Sequence, residues 1–130
     1  MKLVIAKDTD KYFGSQLREL DFPLEILTID PEDSSNPSWD SIPECDAFFL
    51  SYQFLFAIRD NHKLFKPLLN LTKRMKFIQT GYAGMDDPFC QAMLKESDAV
   101  IANASSIHAI PISHYVLSLI HISEPTRPLT

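Results

Sequence analysis

Cysteine, glycine and basic residues are scarce in this chain, and each scarcity excludes a class of protein. The two cysteines among its 130 residues, Cys45 and Cys90, are far apart and lack a paired histidine motif, which argues against a disulfide framework and a zinc site. Acidic residues outnumber basic ones, and the net charge of −5 disfavours nucleic-acid binding. This cysteine usage fits a reducing compartment, so we expect a cytoplasmic protein.

Long hydrophobic runs are missing as well. No run approaches the roughly 18 apolar residues that a membrane span requires. The apolar run at the N-terminus meets Lys7 and Asp8 at once, which makes it too short for the apolar region of a signal peptide. The 45% hydrophobic content still suffices for one domain with a real core, so we expect no membrane partner and little disorder.

Only three glycines are present, and the G-x-G-x-x-G fingerprint of a dinucleotide-binding turn occurs nowhere in the sequence. The spacing Gly81-x-x-Gly84 belongs to a different kind of loop. No Ser-His-Asp order and no carboxylate pair in a plausible pocket offers another chemistry. The 130 residues alone are therefore not expected to form a complete hydride-transfer enzyme.

Five apolar runs of strand length alternate with helical patterns, which is typical of a parallel α/β sheet. We predict strands near residues 2–6, 24–29, 46–51, 75–79 and 99–103. Right-handed crossovers then give a three-layer sandwich, and by analogy with flavodoxin-like domains we expect the strand order 2-1-3-4-5. A further helix is predicted to start near Ile110, with Pro111 in its first turn.

The segments between the first strands contain weaker signals. Asp10 is a candidate cap for a helix over Lys11 to Leu20, which Gly14 weakens. Residues 30–45 are rich in Pro, Ser and Asp and are predicted to form a surface connection that Trp39 pins down.

Small-residue loops follow two neighbouring strands in the stretch 75–116, the most informative part of the sequence. Because parallel strands that lie side by side end at the same edge of a sheet, we expect the two loops to face one crevice. The residues brought together there would be Gly81, Ala83, Gly84 and Met85 from the first loop and Asn103, Ser105, Ser106 and His108 from the second.

The first loop offers backbone N–H groups, and its small residues allow a carboxylate to approach the main chain. The alternative from sequence alone is that the two glycines simply make a turn. Asp86 is expected to cap the helix that begins near Pro88 rather than to act as an acid. Ser51 and Tyr52 follow the third strand and would point into the same crevice, where a phenol can close a pocket or serve as an amphipathic cover.

These residues resemble a known family, the D-isomer-specific 2-hydroxyacid dehydrogenases, in its N-terminal, substrate-side half. The sequence K-F-I-Q-T-x-x-A-G-M-D is similar to the family's L-K-W-x-Q-x-x-x-A-G-V-D, and A-N-A-x-x-I-H-A-x-P-I-x-x-Y-V is similar to x-N-x-x-G-V-x-A-x-x-I-A-E-Y-V. The resemblance extends over residues 47–116 and only loosely over 1–46. Ser106 and His114 depart from it, since glycine and glutamate are common at these places in the family.

The resemblance implies a function as well as a fold. In the family the first loop holds the substrate carboxylate through backbone amides, a role that passes to Gly84 and Met85 by position. His108 occupies the place where many relatives carry an asparagine close to substrate and nicotinamide, and it is not expected to be the catalytic base. The implied activity is hydride transfer between NAD or NADP and a small 2-keto or 2-hydroxy carboxylic acid, by a protein that is a homodimer at full length. The implied substrate-binding residues are Ala83, Gly84, Met85, Tyr52, Ser51, Asn103 and His108.

The same resemblance implies a domain organisation for the chain. Residues 1–109 are expected to form the flavodoxin-like substrate-side domain, and residues 110–122 the start of a helix that leads to a nucleotide-binding domain. From Leu117 the sequence LSLIHISEPTR resembles the in-frame translation of a sequencing-library adapter, so residues 117–130 are expected to be a non-native tail. We therefore expect a truncated fragment that lacks the family's catalytic and cofactor-binding residues and is inactive alone.

The alternative is a self-sufficient flavodoxin-like or receiver-like binding module without catalysis. A receiver domain needs acidic residues after its first strand, which Asp8 and Asp10 supply, and an aspartate at the end of its third, where Ser51 and Tyr52 stand instead. Phosphoryl acceptance is therefore disfavoured. The nucleotide sequence beyond codon 116 is the observation that separates the two hypotheses.

Overall fold

The computed structural model describes residues 1–81 and 84–103, which form one five-stranded sheet flanked by helices. All neighbouring strands are parallel, and their order is β2-β1-β3-β4-β5. The predicted flavodoxin-like α/β fold is therefore confirmed, together with its strand order. The strands are β1 (Lys2–Ala6), β2 (Glu25–Ile29), β3 (Cys45–Leu50), β4 (Met75–Thr80) and β5 (Val100–Ala102). The helix predicted from Ile110 lies outside the described residues.

The helices lie on both faces of the sheet. The sheet divides the core into two parts, because successive side chains of a strand point to opposite faces. On one face Leu17 of α1 packs with Leu3, Ala47 and Phe77 of the sheet. On the other face the larger core contains the buried side chains of α2, α3 and α4. The helices are α1 (Lys7–Arg18), α2 (Tyr52–Asp60), α3 (Phe65–Thr72) and α4 (Pro88–Glu96), with short 3-10 helices at Trp39–Ser41 and His62–Leu64.

Helix α1 begins at Lys7 rather than at Lys11, and the prediction that Asp10 caps it is wrong. The N-cap position falls on Ala6, which is extended and offers no side-chain bond. The reason is that β1 passes directly into the helix, so Asp10 already lies within the helix. Its carboxylate accepts a hydrogen bond from Arg18 Nη1 at 2.7 Å instead of capping the first turn.

The connection between β2 and β3 is held to the domain by buried side chains, among them Trp39, as predicted. Trp39 is only 1% exposed and meets the ring of Phe54 edge to face, with centroids 6.2 Å apart. The guanidinium of Arg74 donates a hydrogen bond to the Trp39 carbonyl. A buried aromatic ring of this size anchors an otherwise polar segment at low entropic cost.

Candidate functional site

Three neighbouring strands end at the same edge of the sheet. The N–H of Gly81 donates to the carbonyl of Leu50 at 2.9 Å, which joins the end of β4 to the end of β3. Gln79 Nε2 donates to the carbonyl of Asn103 at 3.3 Å, which joins β4 to the residue that follows β5. The segments after β3, β4 and β5 therefore start side by side, at the edge where open α/β sheets bind their ligands.

The two glycines after β4 have different surroundings. A Cβ atom on Gly81 would lie 3.1 Å from the ring of Phe49 and 3.4 Å from the Cα atom of Ser51, so the close packing of β4 against β3 favours glycine here. A Cβ atom on Gly84 would meet nothing within 4 Å, and this residue is exposed. The loop thus begins tightly packed and then offers an open backbone. Ala83 lies outside the described residues.

Gly84 and Met85 present backbone donors at this edge. Within residues 1–81 and 84–103, neither amide N–H donates to a protein acceptor. The Met85 side chain packs against the larger core, and its carbonyl accepts a hydrogen bond from Gln91 Nε2 at 2.7 Å. These two contacts hold the Met85 backbone in place. A backbone N–H group that is not used within the protein can donate a hydrogen bond to a carboxylate.

Ser51 and Tyr52 stand at the start of α2 and differ in exposure. Ser51 is buried at the N-cap position, makes no side-chain cap bond, and donates its hydroxyl proton to Gln53 Oε1. Tyr52 is 48% exposed, and its ring stacks on Phe56 with centroids 6.0 Å apart and 18° between the planes. The tyrosine ring therefore lies on the surface against Phe56, whereas the serine hydroxyl is engaged within the protein.

The second predicted loop is described only at its start. Asn103 is exposed directly after β5, and its carbonyl bond to Gln79 holds it next to β4. His108, Ser105 and Ser106 lie outside the described residues, so their places beside the first loop stay predictions.

Helix α4 is capped by Asp87, and the prediction that Asp86 caps it is wrong by one residue. Asp87 Oδ2 accepts a hydrogen bond from the N–H of Cys90 at 3.1 Å, while Asp86 is exposed. The sequence contained the deciding signal, because Pro88 occupies the first helical position and the cap is the residue immediately before it.

A cavity of about 400 Å³ opens at the ends of β1 and β2, and the sequence analysis missed it. Its lining includes three carboxylates and one ammonium group, from Asp8, Asp30, Glu32 and Lys7, together with Pro31, Gln53 and Phe56. Asp30 Oδ1 accepts the N–H of Glu32 at 2.9 Å, which fixes the turn after β2. This acidic lining disfavours phosphate groups. The aspartates that follow β1 and β2 were the sequence signal that could have predicted this cavity.

Residues 1–81 and 84–103 contain no group of three or more His, Cys, Asp or Glu suited to a metal ion. None of the helices described is long and apolar enough to cross a membrane. Cys45 and Cys90 are both buried, and burial raises the pKa of Cys45, which disfavours the reactive thiolate.

Comparison with known proteins gave no match. No protein-family model matches the chain, and neither a curated protein nor a solved structure is significantly similar to it. The resemblance to the 2-hydroxyacid dehydrogenases therefore rests on the two sequence motifs and on the agreement of the fold with what they imply.

Proposed function

We propose that this chain is the substrate-side domain of an NAD(P)-dependent oxidoreductase that acts on small 2-keto or 2-hydroxy carboxylic acids. The amide N–H groups of Gly84 and Met85 bind the substrate carboxylate, with Tyr52 and Asn103 on either side. The observation that carries the proposal is that, within residues 1–81 and 84–103, neither of these amides donates to a protein acceptor, and that they follow β4 at the edge where β3, β4 and β5 end. Ala83 and His108 belong to the same proposed site by sequence resemblance.

Backbone amides suit this task because they are neutral and do not titrate near physiological pH. A carboxylate bound by two fixed donors is oriented as well as held, so the carbon that reacts lies at a defined distance from the loop. The absence of a Cβ atom at Gly84 leaves room for that approach. The loop therefore positions the substrate without supplying an acid or a base.

The described residues at the ends of β1 and β2 do not fit the nicotinamide cofactor that the proposal requires. The turn from β1 into α1 contains no glycine, and Asp8 stands in the first turn of α1, where a pyrophosphate would need a positive helix terminus. The neighbouring cavity adds Asp30 and Glu32 and is acidic. We therefore assign cofactor binding and all cofactor chemistry to a nucleotide-binding domain encoded beyond residue 116, with the whole protein a homodimer.

Residue-resolved titration of the isotopically labelled 130-residue chain tests the proposed carboxylate site. Oxamate and pyruvate are expected to shift the amide resonances of Gly84 and Met85 with millimolar affinity, since only one wall of the site is present. Propionamide, which has no carboxylate, is expected to leave them unchanged. Carboxylate-independent shifts, or no shift at these two amides, would contradict the proposed substrate class.

Sequencing the source gene past codon 116 tests the assignment of the cofactor. A reading frame that continues with a strand followed by G-x-G-x-x-G is expected. A stop codon soon after codon 130 in the natural gene would overturn the enzyme proposal and favour a self-sufficient binding module.

A further inference from the structure

A second cavity lies between α2, α3 and the start of α4, and it shares no lining residue with the proposed carboxylate site. Its volume is about 320 Å³, roughly twice that of a cavity known to hold benzene and within the range of small-ligand sites. The walls are apolar and come from Leu55, Ile58, Phe65 and Phe89. The rings of Phe65 and Phe89 meet edge to face at 5.4 Å and 82°, which gives the cavity a fixed aromatic wall.

Arg59 is among the residues that line this cavity. Its guanidinium lies over the ring of Phe56, which is not part of the lining, at 5.4 Å from the centroid, and makes no ion pair within residues 1–81 and 84–103. A guanidinium that lies over an aromatic ring can still bind an oxyanion through its N–H edge. His62 adds a second nitrogen group to the lining.

Asp87 is the one carboxylate among the residues that line this cavity, and it is engaged in capping α4. Its Oδ2 atom accepts the N–H of Cys90 and caps α4. The carboxylate is therefore directed to the helix terminus, whereas the charge of Arg59 is not neutralised by a described partner. The rim thus favours an anion over an amine.

The geometry points to a binding site for a small monocarboxylic acid with an aromatic or branched aliphatic body. The apolar body fills the cavity against Phe65 and Phe89, and the carboxylate pairs with Arg59 at the rim. The apolar walls supply affinity for the body, and the charged fork of arginine selects the carboxylate. This site is independent of the proposed carboxylate loop and of the enzyme proposal.

Phenylacetate and its neutral isostere phenylacetamide are the probes for this site, added to the labelled 130-residue chain. Phenylacetate is expected to shift the amides of Ile58, Phe65 and Phe89 and to bind about tenfold more tightly than phenylacetamide, because only the anion can pair with the guanidinium. Equal affinity of the two probes, or no shift at these residues at tens of millimolar phenylacetate, would overturn the proposal. This comparison requires no variant.

A pair of charge-removing variants tests the role of Arg59. Arg59→Gln is expected to weaken phenylacetate binding by about tenfold while phenylacetamide binding changes little. Lys63→Gln is the matched control, because Lys63 is an exposed cation on the adjacent 3-10 helix and is not part of the cavity lining. Equal losses in the two variants would show a general charge effect and refute the assigned site.

Discussion

Asp10 and Arg18, two turns apart on α1, form an ion pair that passes over Gly14. Arg18 Nη1 lies 2.7 Å from Asp10 Oδ1. Side chains that pair on a helix are normally three or four residues apart. A Cβ atom on Gly14 would lie 2.2 Å from that carboxylate oxygen, so the longer span depends on the missing side chain. Gly14, which lowers the helix propensity of this segment, therefore also leaves room for the ion pair.

Gly14→Ala is expected to raise the free energy of unfolding slightly, by about 0.5 kcal/mol. Alanine gains roughly 1 kcal/mol of helix propensity over glycine. The displaced ion pair is largely exposed, with side chains 53% and 28% accessible, and contributes no more than about 0.5 kcal/mol. Urea denaturation of Gly14→Ala, Asp10→Ala and the double variant measures both effects. A loss above about 1 kcal/mol in Gly14→Ala would mean that packing rather than propensity decides at this position.

A second pair of residues joins two strands at their amino ends, opposite the end that holds the candidate site. Asp46 Oδ2 accepts the backbone N–H of Lys2 at 2.8 Å and so links the start of β3 to the start of β1. This hydrogen bond is the main reason that the pKa of Asp46 is lowered, and the ammonium of Lys76 adds to the effect. Because the folded-state pKa is lowered, the bond stabilises the fold fully above the ordinary carboxyl pKa of about 4. The contribution is lost as the pH falls through the lower folded-state value.

Asp46→Asn is therefore expected to reduce stability at neutral pH and to have little effect in acid. The side chain is 34% exposed, so solvent screening limits the loss to about 0.5–1 kcal/mol. Thermal unfolding between about pH 2 and pH 7 measures the difference, which should shrink below about pH 4. Asp60→Asn removes the same formal charge at an exposed position and controls for net charge. A constant difference across this range would refute the linkage.

Adjacent aspartates before α4 allow a matched test of helix capping. Asp87→Ala removes the acceptor for the Cys90 N–H and is expected to cost about 1 kcal/mol. Asp86→Ala removes the same charge from an exposed neighbour and is expected to change stability by less than about 0.5 kcal/mol. Denaturant midpoints of the two variants give the comparison, and similar losses would mean that the cap contributes little.

Most of the fold could be predicted because each strand contains a short apolar run. A strand covered on both faces is mostly apolar, as in Ala47 to Leu50, and such runs are visible without any knowledge of neighbours. The strand order followed only by analogy, because five parallel strands admit several orders. The start of α1 could not be placed, since Ala6 carries no cap signal and a strand that passes directly into a helix leaves no loop.

The edge of the sheet at which the predicted loops begin could be predicted, but the surroundings of the loop residues could not. Parallel topology brings the ends of β3, β4 and β5 together whatever their side chains, so the strand order taken by analogy was enough to expect Tyr52, Gly84 and Asn103 at one edge. The different surroundings of Gly81 and Gly84 depend on the ring of Phe49 in the adjacent strand. The cavity beside Arg59 arises where three helices meet, and no local pattern encodes such a space.

The purified 130-residue chain is expected to reduce neither glyoxylate, hydroxypyruvate nor pyruvate with NADH or NADPH. The sequence has no nucleotide fingerprint, and the carboxylate-binding role proposed for Gly84 and Met85 supplies no hydride donor. Loss of nicotinamide absorbance measures the rate, and the full-length product of the natural gene is the positive control. Turnover above a protein-free blank would show that the chain contains a complete active site.

Alanine substitutions at the two glycines after β4 are expected to have different effects, one on stability and the other on ligand binding. Gly81→Ala adds a methyl group 3.1 Å from the ring of Phe49 and 3.4 Å from the Cα atom of Ser51, and it is expected to cost about 1 kcal/mol. Gly84→Ala meets nothing within 4 Å, and no glycine in the described residues has a positive φ. Its stability should be unchanged or raised by up to about 0.5 kcal/mol.

Oxamate titrations of the same two variants complete the comparison. In Gly84→Ala the new methyl group occupies the open space beside the Gly84 and Met85 amides, so oxamate is expected to bind at least about threefold more weakly despite the intact fold. The methyl group in Gly81→Ala lies on the packed side of the loop. Under conditions where this variant is folded, its affinity for oxamate should equal that of the wild type. Unchanged affinity in Gly84→Ala would place the bound carboxylate elsewhere.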